Sequence, residues 1–560
     1  MFALTVGGGA DLSQDMYREI SAHMDDDDRV YLQDLVQKGR IRLLDESSEI
    51  VNFKPTPEHV KNGYAVFVRP YDERITAKST PKPAELTAEL KSFTGKNTYK
   101  VMTFCVYPLV ELGDVDVKVG DLKTKTGDII AKSNIEARWG QYLIRPVDYG
   151  LKSTFYRVAE TLLNKLPMQG KLGITRRIWL QLSIPAAAKA GDYEAPVTIK
   201  PKALPATTIT LKLKVMPFVL EVAPNLSVGF YYAVPKNPAW FNEEFQDYSR
   251  HGFTSANTSG GKSGKTSFND YTLLNEYYKV AKKNKLTGLQ FVMQPSSVMG
   301  KPGSDGAMAN AKQAIADLSD EWFSEHEGAD KYVYFVTDEP RQVNDTGYNL
   351  NFSQTMELVD YCEKFKDMKT CVTIMTDSDW ADKKIDYVPM AQKLDYIMTH
   401  HWKKSASIIE VAKKKNGYIM YNSSRNRFGY GFHLWRSGAM GKMEWHYRWE
   451  QPNIFMPQYE QWAVTYRDRN NFMSTPEFEK CAEGVSDYKY LYTLEKKIKA
   501  NENSADPEIK KKASEAFKFL RDLKSKIIDL PDVLHGEDYM SFRDMDSYRL
   551  KIAEYLSVLP

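Results

Sequence analysis

The arrangement of apolar and polar positions along the chain changes near residue 220. Before that point, short segments rich in β-branched and aromatic residues are separated by turn residues such as Gly113-Asp114 and Gly191-Asp192. The clearest of these segments are residues 64–69, 98–107, 115–119, 179–184 and 208–215. Short strands with frequent turns are typical of two sheets packed face to face. We therefore predict an N-terminal antiparallel β-sandwich over residues 61–220, preceded by an unassigned N-terminal extension, residues 1–60.

From about residue 226, strand-like segments alternate with amphipathic helical segments. The predicted strands are residues 227–233, 288–293, 332–337, 371–376, 394–399, 418–422, 442–449 and 462–467. The predicted helices include residues 271–283, 307–325, 353–366 and 406–415, and two more near the end, 507–530 and 539–556. Eight strands that alternate with helices are typical of a closed parallel barrel. We predict a multidomain α and β protein whose residues 221–560 form a (β/α)8 TIM-like catalytic barrel with C-terminal helices.

The segment YVYFVTDEP, residues 332–340, is the most informative part of the predicted barrel. It lacks the alternation of a half-exposed strand, which indicates burial on both faces. Pro340 cannot donate a ladder hydrogen bond, so the strand should end near it. Asp338 and Glu339 then lie at the carboxyl end of the strand, where α/β barrels keep their catalytic residues. The alternative is that Asp338 caps the next segment and Glu339 is solvated beside it.

The charge balance bears on the partners of the protein. The 560 residues include 76 Lys and Arg against 73 Asp and Glu, a formal net charge of +3. This balance gives no electrostatic basis for binding nucleic acid or an anionic membrane. No stretch approaches 18 consecutive apolar residues, so no transmembrane segment is predicted.

The metal-ligating residue types are not arranged as a metal site. The four cysteines, Cys105, Cys362, Cys371 and Cys481, include no Cys-x-x-Cys pair and are too few for a disulfide framework. The adjacent pair His400-His401 could suggest a metal site, but neighbouring residues on a strand point in opposite directions, so at most one of the two faces any one site. We predict neither a metal nor a cofactor.

The first residues, MFALTVG, lack the basic region and the long apolar core of a signal peptide. Two compartments therefore remain open. We expect a secreted or periplasmic protein whose signal peptide is absent from this sequence, and a cytoplasmic protein is the alternative.

Two directly adjacent carboxylates suit a particular division of labour. The usual retaining glycosidase places its two carboxyl groups on opposite sides of the scissile bond, about 5 Å apart, and takes them from different strands. An adjacent pair can instead supply one acid for the glycosidic oxygen and one group that holds the substrate. If the held group is a 2-acetamido arm, its carbonyl oxygen can attack the anomeric carbon, so the protein needs no nucleophile.

The tryptophans support a sugar substrate, since aromatic faces stack on the CH faces of sugars. Six of the ten lie in the second half of the predicted barrel, and Trp402 directly follows a predicted strand. Our candidate substrate-binding residues are Trp402, Tyr421, Asn422, Trp435, Arg436, His400, Asp377 and Tyr232. Ordinary core packing is the alternative for each aromatic residue among them.

Four segments together resemble glycoside hydrolase family 123. They are TDEP at 337–340, GFHLWRSGA at 431–439 followed by Gly441 and Trp445, EGVSDYKYL at 483–491, and residues 179–200, which contain AGDY at 190–193. The resemblance implies a β-sandwich followed by a (β/α)8 barrel, and β-N-acetylgalactosaminidase activity. It also implies that Asp338 orients the substrate acetamide and that Glu339 is the general acid and base.

These observations combine into one hypothesis. The chain is predicted to be a retaining glycoside hydrolase that removes terminal β-linked N-acetylgalactosamine, or N-acetylhexosamine, from a glycan or glycoconjugate by substrate-assisted catalysis through an oxazoline. The charge of Asp338 is expected to raise the pKa of Glu339 toward the operating pH, as a general acid requires. The alternatives are a glycosidase of the same scaffold that acts on a sugar without an acetamide, and a non-catalytic glycan-binding protein.

Overall fold

The chain forms two compact units that alternate along the sequence. The computed structural model describes residues 24, 26–37, 42–43, 52–146, 155–233, 235, 237–259, 271–293, 306–324, 331–341, 350–376, 385–448, 454–455, 463–468, 471–532 and 539–560. The first unit comprises the described residues of Met1–Leu220 and Trp449–Glu479, and the second those of Glu221–Arg448 and Lys480–Pro560. Each unit is described by itself below.

The first unit is built almost entirely of strands. These are β1 (Arg42–Leu43), β2 (Tyr64–Phe67), β3 (Glu89–Lys96), β4 (Thr98–Pro108), β5 (Gly113–Val119), β6 (Leu122–Thr124), β7 (Ile129–Ile130), β8 (Ile135–Pro146), β9 (Phe155–Lys165), β10 (Met168–Gly170), β11 (Arg176–Ile184), β12 (Gly191–Pro201) and β13 (Thr207–Val219). One sheet has the order β2-β4-β11-β8-β9, and the other has the order β10-β5-β12-β13-β3. Neighbours are antiparallel except β3 with β13 and β1 with β9.

Alternating side chains of both sheets share one hydrophobic core. Along β12, Tyr193, Ala195, Val197 and Ile199 are buried while the residues between them are more exposed. This is the period of two that places one face of a strand inward. The same core contains residues of the other sheet, such as Phe104 on β4. The observed strands β4, β5, β11 and β13 include the predicted strands 98–107, 115–119, 179–184 and 208–215.

The second unit contains a closed barrel of eight parallel strands. They are β14 (Ser227–Ala233), β15 (Ser255–Ser259), β16 (Gln290–Met293), β17 (Tyr332–Thr337), β18 (Lys369–Ile374), β19 (Tyr396–Thr399), β20 (Tyr418–Tyr421) and β21 (Gly441–Glu444). Every residue of β17 is buried, as its unbroken apolar run predicts. Side chains from alternate strand positions, among them Phe291, Phe335, Met398 and Met443, pack together inside the barrel.

A helix lies between each pair of consecutive barrel strands. The described α-helices are α1 (Asp26–Gln37), α2 (Pro57–Asn62), α3 (Pro238–Arg250), α4 (Thr272–Lys283), α5 (Ala307–Asp317), α6 (Phe352–Cys362), α7 (Val388–Lys393), α8 (Ala406–Lys413), α9 (Leu434–Ser437), α10 (Pro476–Asn501), α11 (Pro507–Lys526) and α12 (Phe542–Val558). Capping residues fix where some of them begin: Asp506 accepts hydrogen bonds from the first turn of α11, and Ser541 caps α12.

Among the helices described here, none is both long and apolar enough to cross a membrane.

Two strand predictions for the barrel were wrong. Residues 255–259 form β15, although the sequence SANTS gives no apolar signal. Two of its buried side chains bond to the next segment of the barrel: Ser255 Oγ donates to the carbonyl of Leu289, just before β16, and Thr258 Oγ1 donates to that of Phe291 at 2.9 Å. The amide of Asn257 is also buried but makes no hydrogen bond within the described residues. Polar residues satisfied in this way are as buried as apolar ones but are not recognised from hydropathy.

Residues 462–467 are not the eighth barrel strand. Residues Thr465–Asp468 form β22, which pairs with β23 (Asn471–Ser474), and β23 pairs with β9 in the first unit. Val464 and Tyr466 are buried there. A buried apolar strand has the same pattern in either kind of sheet, so the pattern alone does not identify the sheet to which it belongs.

Candidate active site

The adjacent carboxylates lie at the carboxyl end of β17, as predicted. Glu339 has a positive φ of 45°, which is uncommon for a residue other than glycine. Its backbone N–H donates to the carbonyl of Thr373 on β18 at 3.2 Å. The strand thus ends in an abrupt turn that the neighbouring strand holds, and strained residues of this kind are frequent at functional sites.

Asp338 accepts a hydrogen bond from a tyrosine on another strand. The hydroxyl of Tyr231, on β14, lies 3.3 Å from Oδ1 of Asp338 and 2.8 Å from Oγ1 of Thr373. The Tyr231 side chain is fully buried, and its ring meets Phe335 edge to face inside the barrel. Asp338 therefore points toward the barrel axis, where a rigid donor fixes its orientation.

Glu339 is held by a second tyrosine. The hydroxyl of Tyr421, the last residue of β20, donates to Oε1 of Glu339 at 2.9 Å. The imidazole of His400, just after β19, stacks on the Tyr421 ring with a centroid distance of 5.5 Å and an interplanar angle of 5°. Three of the predicted site residues, Glu339, Tyr421 and His400, thus lie together.

The surroundings raise the pKa of both carboxyl groups. Burial raises the pKa of Asp338 to about 7, and the charge of Glu339 adds to the rise, while Thr373 and Tyr231 oppose it by hydrogen bonding. Burial also raises the pKa of Glu339, against the Tyr421 hydrogen bond and the positive charge of Arg341. We expected the charge of Asp338 to act on Glu339, but burial is the main cause at both residues. The pair therefore retains a proton to higher pH than ordinary carboxyls would.

Two further residues close the barrel end beside Tyr231. The indole of Trp445, just after β21, packs against the Tyr231 ring with a centroid distance of 5.5 Å and is only partly buried. Its backbone N–H donates to Oδ1 of Asn422 at 2.8 Å. Asn422, a predicted site residue, has a positive φ of 39° and so ends β20 in a sharp turn. Trp445 thus offers an accessible aromatic surface near Asp338.

Trp402 is connected to Glu339 through the stacked rings of His400 and Tyr421. Its indole lies edge to face with His400 at 5.8 Å, and its Nε1 donates to Oγ1 of Thr376 at 3.0 Å. Only 5% of Trp402 is exposed. The residue therefore also packs the protein, as the core-packing alternative for this aromatic residue expects.

The structure does not bring Trp435 and Arg436 to the carboxylates. Both lie on α9, which precedes the amino end of β21, whereas Asp338 and Glu339 follow the carboxyl end of β17. Their partners include Lys524, whose ammonium lies over the Trp435 ring, and Asp529, which pairs with Arg436 at 3.3 Å. The motif that contains them contributes to a different region of the second unit.

Tyr232 also faces away from the carboxylates. Its hydroxyl donates to Oε2 of Glu244 on α3 at 2.6 Å, and its ring packs on Phe241 and Phe245 of the same helix. The prediction chose the wrong tyrosine of the pair, because strand residues alternate and Tyr231 is the one that points inward. Asp377, the remaining predicted residue, lies outside the described residues.

Four residues near the carboxylates were missed: Tyr231, Thr373, Arg341 and Trp445. The apolar run of β14 does not distinguish Tyr231 from Tyr232, and only the observed contacts show that Tyr231 is the residue that reaches Asp338. Within the described ranges, no three His, Cys, Asp or Glu residues are grouped as a metal site. The neighbouring His401 instead makes a hydrogen bond between its Nδ1 and the hydroxyl of Tyr418 at 2.7 Å.

Comparison with known proteins agrees with the family resemblance. Residues 76–201 match the family model described as the glycoside hydrolase 123 N-terminal domain. In fold, the chain is similar to a family 123 glycoside hydrolase from Clostridium perfringens, solved in a study of glycolipid glycan hydrolysis. The two are 13% identical, the match covers 88% of this chain and 96% of that one, and the TM-score is 0.60.

A second solved structure is less similar. It is a family 39 glycoside hydrolase from the gut symbiont Bacteroides cellulosilyticus, 10% identical over 72% of this chain and 82% of that one, with a TM-score of 0.37. No curated protein matches the sequence. The chain is therefore similar to glycoside hydrolase family 123 in the sequence of residues 76–201 and in fold, which confirms the predicted resemblance and the prediction of a glycoside hydrolase.

Proposed function

We propose that the protein is a retaining glycoside hydrolase that removes terminal β-linked N-acetylgalactosamine, or a related N-acetylhexosamine, from a glycoconjugate. One observation supports this most directly: the adjacent carboxylates Asp338 and Glu339 are held by separate tyrosine hydroxyls, those of Tyr231 and Tyr421. Each carboxylate thus has its own hydrogen-bond donor from a different strand, which suits two separate roles. In this proposal the two sheets of the first unit are a β-sandwich and the second unit is a (β/α)8 barrel.

Glu339 is the proposed general acid and base. A carboxyl group whose pKa burial has raised is a better proton donor near neutral pH than an ordinary glutamic acid, because more of it is protonated. It protonates the leaving oxygen in the first step and activates water in the second. The hydroxyl of Tyr421 keeps Oε1 of Glu339 in place, which leaves the other oxygen for the substrate.

Asp338 is proposed to orient the substrate acetamide. In its ionised form it accepts the acetamide N–H, so the carbonyl oxygen of the same group is aimed at the anomeric carbon. As the oxazolinium ion forms, its positive charge grows next to the carboxylate, and this interaction is stronger in the transition state than in the ground state. The second carboxylate thus replaces a protein nucleophile.

The proton of the pair must be on Glu339 when the substrate reacts. In the free protein the pKa of Asp338 is raised to about 7, so the proton is shared between the two groups near neutral pH. A substrate N–H that donates to Asp338 stabilises its ionised form and lowers its pKa. Substrate binding therefore shifts the proton toward Glu339 and prepares the general acid.

Trp445 is the proposed sugar-stacking residue. Its indole packs beside Tyr231 and is partly exposed, while Trp402 is almost fully buried. An exposed aromatic face next to the orienting carboxylate suits the apolar face of a pyranose ring. His400, Trp402 and Asn422 are proposed to support this end of the barrel. The glycolipid glycan substrate of the Clostridium perfringens enzyme favours a glycoconjugate as the substrate here.

A comparison of two aryl glycosides tests the proposal. We expect hydrolysis of an aryl 2-acetamido-2-deoxy-β-galactoside and little of the aryl β-galactoside, because the second lacks the internal nucleophile. Equal rates would favour a glycosidase that does not use an acetamide, and no hydrolysis of either, together with binding of the sugar, would favour a glycan-binding protein. The corresponding β-glucoside with an acetamide then measures the preference between galactosamine and glucosamine.

The stereochemistry of the product tests the mechanism separately. Attack by the acetamide and then by water inverts the anomeric carbon twice, so the first sugar detected by proton NMR should be the β-anomer. A thiazoline that resembles the oxazoline should inhibit as an analogue of the intermediate. Initial appearance of the α-anomer would exclude substrate assistance.

A further inference from the structure

The second unit has a large cavity that the proposed reaction does not use. It has a volume of about 640 Å³ and lies against α9, α10 and α11. Cavities of roughly 300–1,000 Å³ are the size that binds small organic ligands. Its residues belong to the C-terminal helices and to the connection before β21, and the carboxylates Asp338 and Glu339 are not among them.

The floor of the cavity is apolar. Trp435, Ile498 and Leu520 are nearly buried side chains of the protein core that still border it. Phe517 stands at its side with 58% of its surface exposed. An exposed phenylalanine beside an open apolar floor leaves hydrophobic surface in water, which is unfavourable unless something covers it.

Basic residues predominate at the edge of the cavity. Lys499, Arg521, Lys524 and Arg436 border it, against the carboxylates of Glu495 and Glu502. Two of these cations have anionic partners already: Arg436 pairs with Asp529 at 3.3 Å, and Arg521 lies 3.8 Å from Asp522.

The two lysines are different. None of the salt bridges in the described part of the chain involves Lys499 or Lys524. The charge of Lys524 does act on the neighbouring Glu495, where it opposes the rise in pKa that burial causes. The ammonium of Lys524 rests over the Trp435 ring at 5.1 Å from its centroid. A cation held at an aromatic wall is well placed to meet an anionic group on a ligand whose apolar part lies on the same wall. A cationic ligand would meet an excess of like charge.

We propose that this cavity binds a small amphiphilic anion, one apolar ring system or short chain that carries a single carboxylate, sulfonate or sulfate. The apolar part covers Ile498, Leu520 and Phe517, and the anionic group lies between Lys499 and Lys524. On α11 the bordering residues Phe517, Leu520, Arg521 and Lys524 span two helical turns, about 10 Å, which sets the length of the apolar part. The proposal does not depend on the reaction assigned to Asp338 and Glu339.

Fluorescence titration of the full chain tests the proposal. The probe is 8-anilinonaphthalene-1-sulfonate, an aromatic anion, and the uncharged N-phenyl-1-naphthylamine is its comparison. We expect saturable binding of the anion with one site per chain. The double variant Lys499→Ala/Lys524→Ala should weaken binding of the anion roughly tenfold, the sum of two modest charge interactions, and leave binding of the neutral probe unchanged.

The matched control is Lys510→Ala/Lys511→Ala, which removes the same charge from exposed positions at the start of α11, outside the cavity. It should bind the anion as the unchanged protein does. Equal weakening in both double variants would show an effect of overall charge and overturn the proposal, as would absence of saturable binding.

Leu520→Trp is an independent test, since it fills the cavity without changing charge. It should abolish binding of both probes, provided that its circular dichroism and melting temperature show a folded protein. Undiminished binding in the folded variant would overturn the proposal. If this variant does not fold, the two lysine variants decide the question, because substitutions of surface side chains usually change stability little.

Discussion

The hydroxyl of Tyr231 donates to Oδ1 of Asp338 at 3.3 Å although 107 residues separate the two in sequence. The same hydroxyl is 2.8 Å from Oγ1 of Thr373. One phenol therefore connects three strands of the barrel, β14, β17 and β18, at the point where the carboxylate must be oriented. The direction of Asp338 depends on closure of the barrel and not on its own loop alone.

Replacing Tyr231 by Phe should lower kcat about tenfold or more, since hydrogen bonds to charged groups are worth about 1.5–3 kcal/mol. The Tyr231 hydroxyl stabilises the ionised form of Asp338, so its removal should raise the pKa of Asp338. The acidic limb of the kcat/KM profile should then move to higher pH. The matched control is Tyr232→Phe, whose hydroxyl bonds Glu244 instead. A larger loss of activity in Tyr232→Phe would contradict the assignment of Tyr231.

Glu339→Gln should remove most activity and leave the fold intact. The amide cannot donate a carboxyl proton, and loss of general acid catalysis lowers rates by about 10²–10⁴. Substrates with good leaving groups need less protonation, so they should lose least. Rates measured with a series of aryl leaving groups test this, and an equal loss across the series would exclude Glu339 as the acid.

Asp338→Asn should weaken catalysis but stabilise the folded protein at neutral pH. The pKa of Asp338 is raised from 3.8 to about 7 in the folded state, so folding favours the protonated form. The protonated carboxyl therefore makes its full contribution to the free energy of unfolding below about pH 4. This contribution falls as the pH rises to about 7, and it does not fall further above that pH. The side chain of asparagine does not titrate, so the variant does not lose this free energy of unfolding as the pH rises.

The expected gain for Asp338→Asn is a few kcal/mol at most, since one pKa unit corresponds to about 1.4 kcal/mol. Urea unfolding of both proteins at several pH values measures it. The difference should be small at pH 4 and largest at pH 7 and above. The loss of activity should appear in kcat, and a variant with normal kcat would contradict the orienting role.

Trp402→Ala should affect both stability and substrate binding. Because Trp402 is only 5% exposed, truncation should cost about 3–5 kcal/mol of stability, as for other buried aromatic residues. If the indole also supports the sugar site through His400, KM should rise. The melting temperature and KM of one variant separate these roles, and a large stability loss with unchanged KM would leave Trp402 as a core residue alone.

The position of the two carboxylates at the end of a buried strand could be predicted because that strand has a strong signal. The six residues of β17 are buried without alternation and end at Pro340, so the position of Asp338 and Glu339 follows from local pattern. The same reasoning failed for β15, where serine, asparagine and threonine replace apolar residues. It also confused Tyr231 with Tyr232, because which of two adjacent strand residues points inward depends on partners far away in sequence.

Trp435 and Arg436 illustrate another limit of sequence patterns. They belong to a segment that resembles a glycosidase motif, yet they lie before a strand rather than after one. The direction of the chain through the barrel determines which residues reach the carboxylates, and that direction becomes visible only when strand boundaries are known. Their contacts with Lys524 and Asp529 join two segments that are distant along the chain.

The return of β22 and β23 to the sheet of the first unit has a consequence for how the protein can be divided. The barrel strands are synthesised before β23, which is one of the strands that pair with β9. The sheet of the first unit therefore has an unfinished edge during synthesis. Truncation after residue 448 would leave that edge open, and open edges promote aggregation. Neither unit is a continuous piece of chain, and useful expression boundaries must therefore keep residues 463–474 together with residues 155–165.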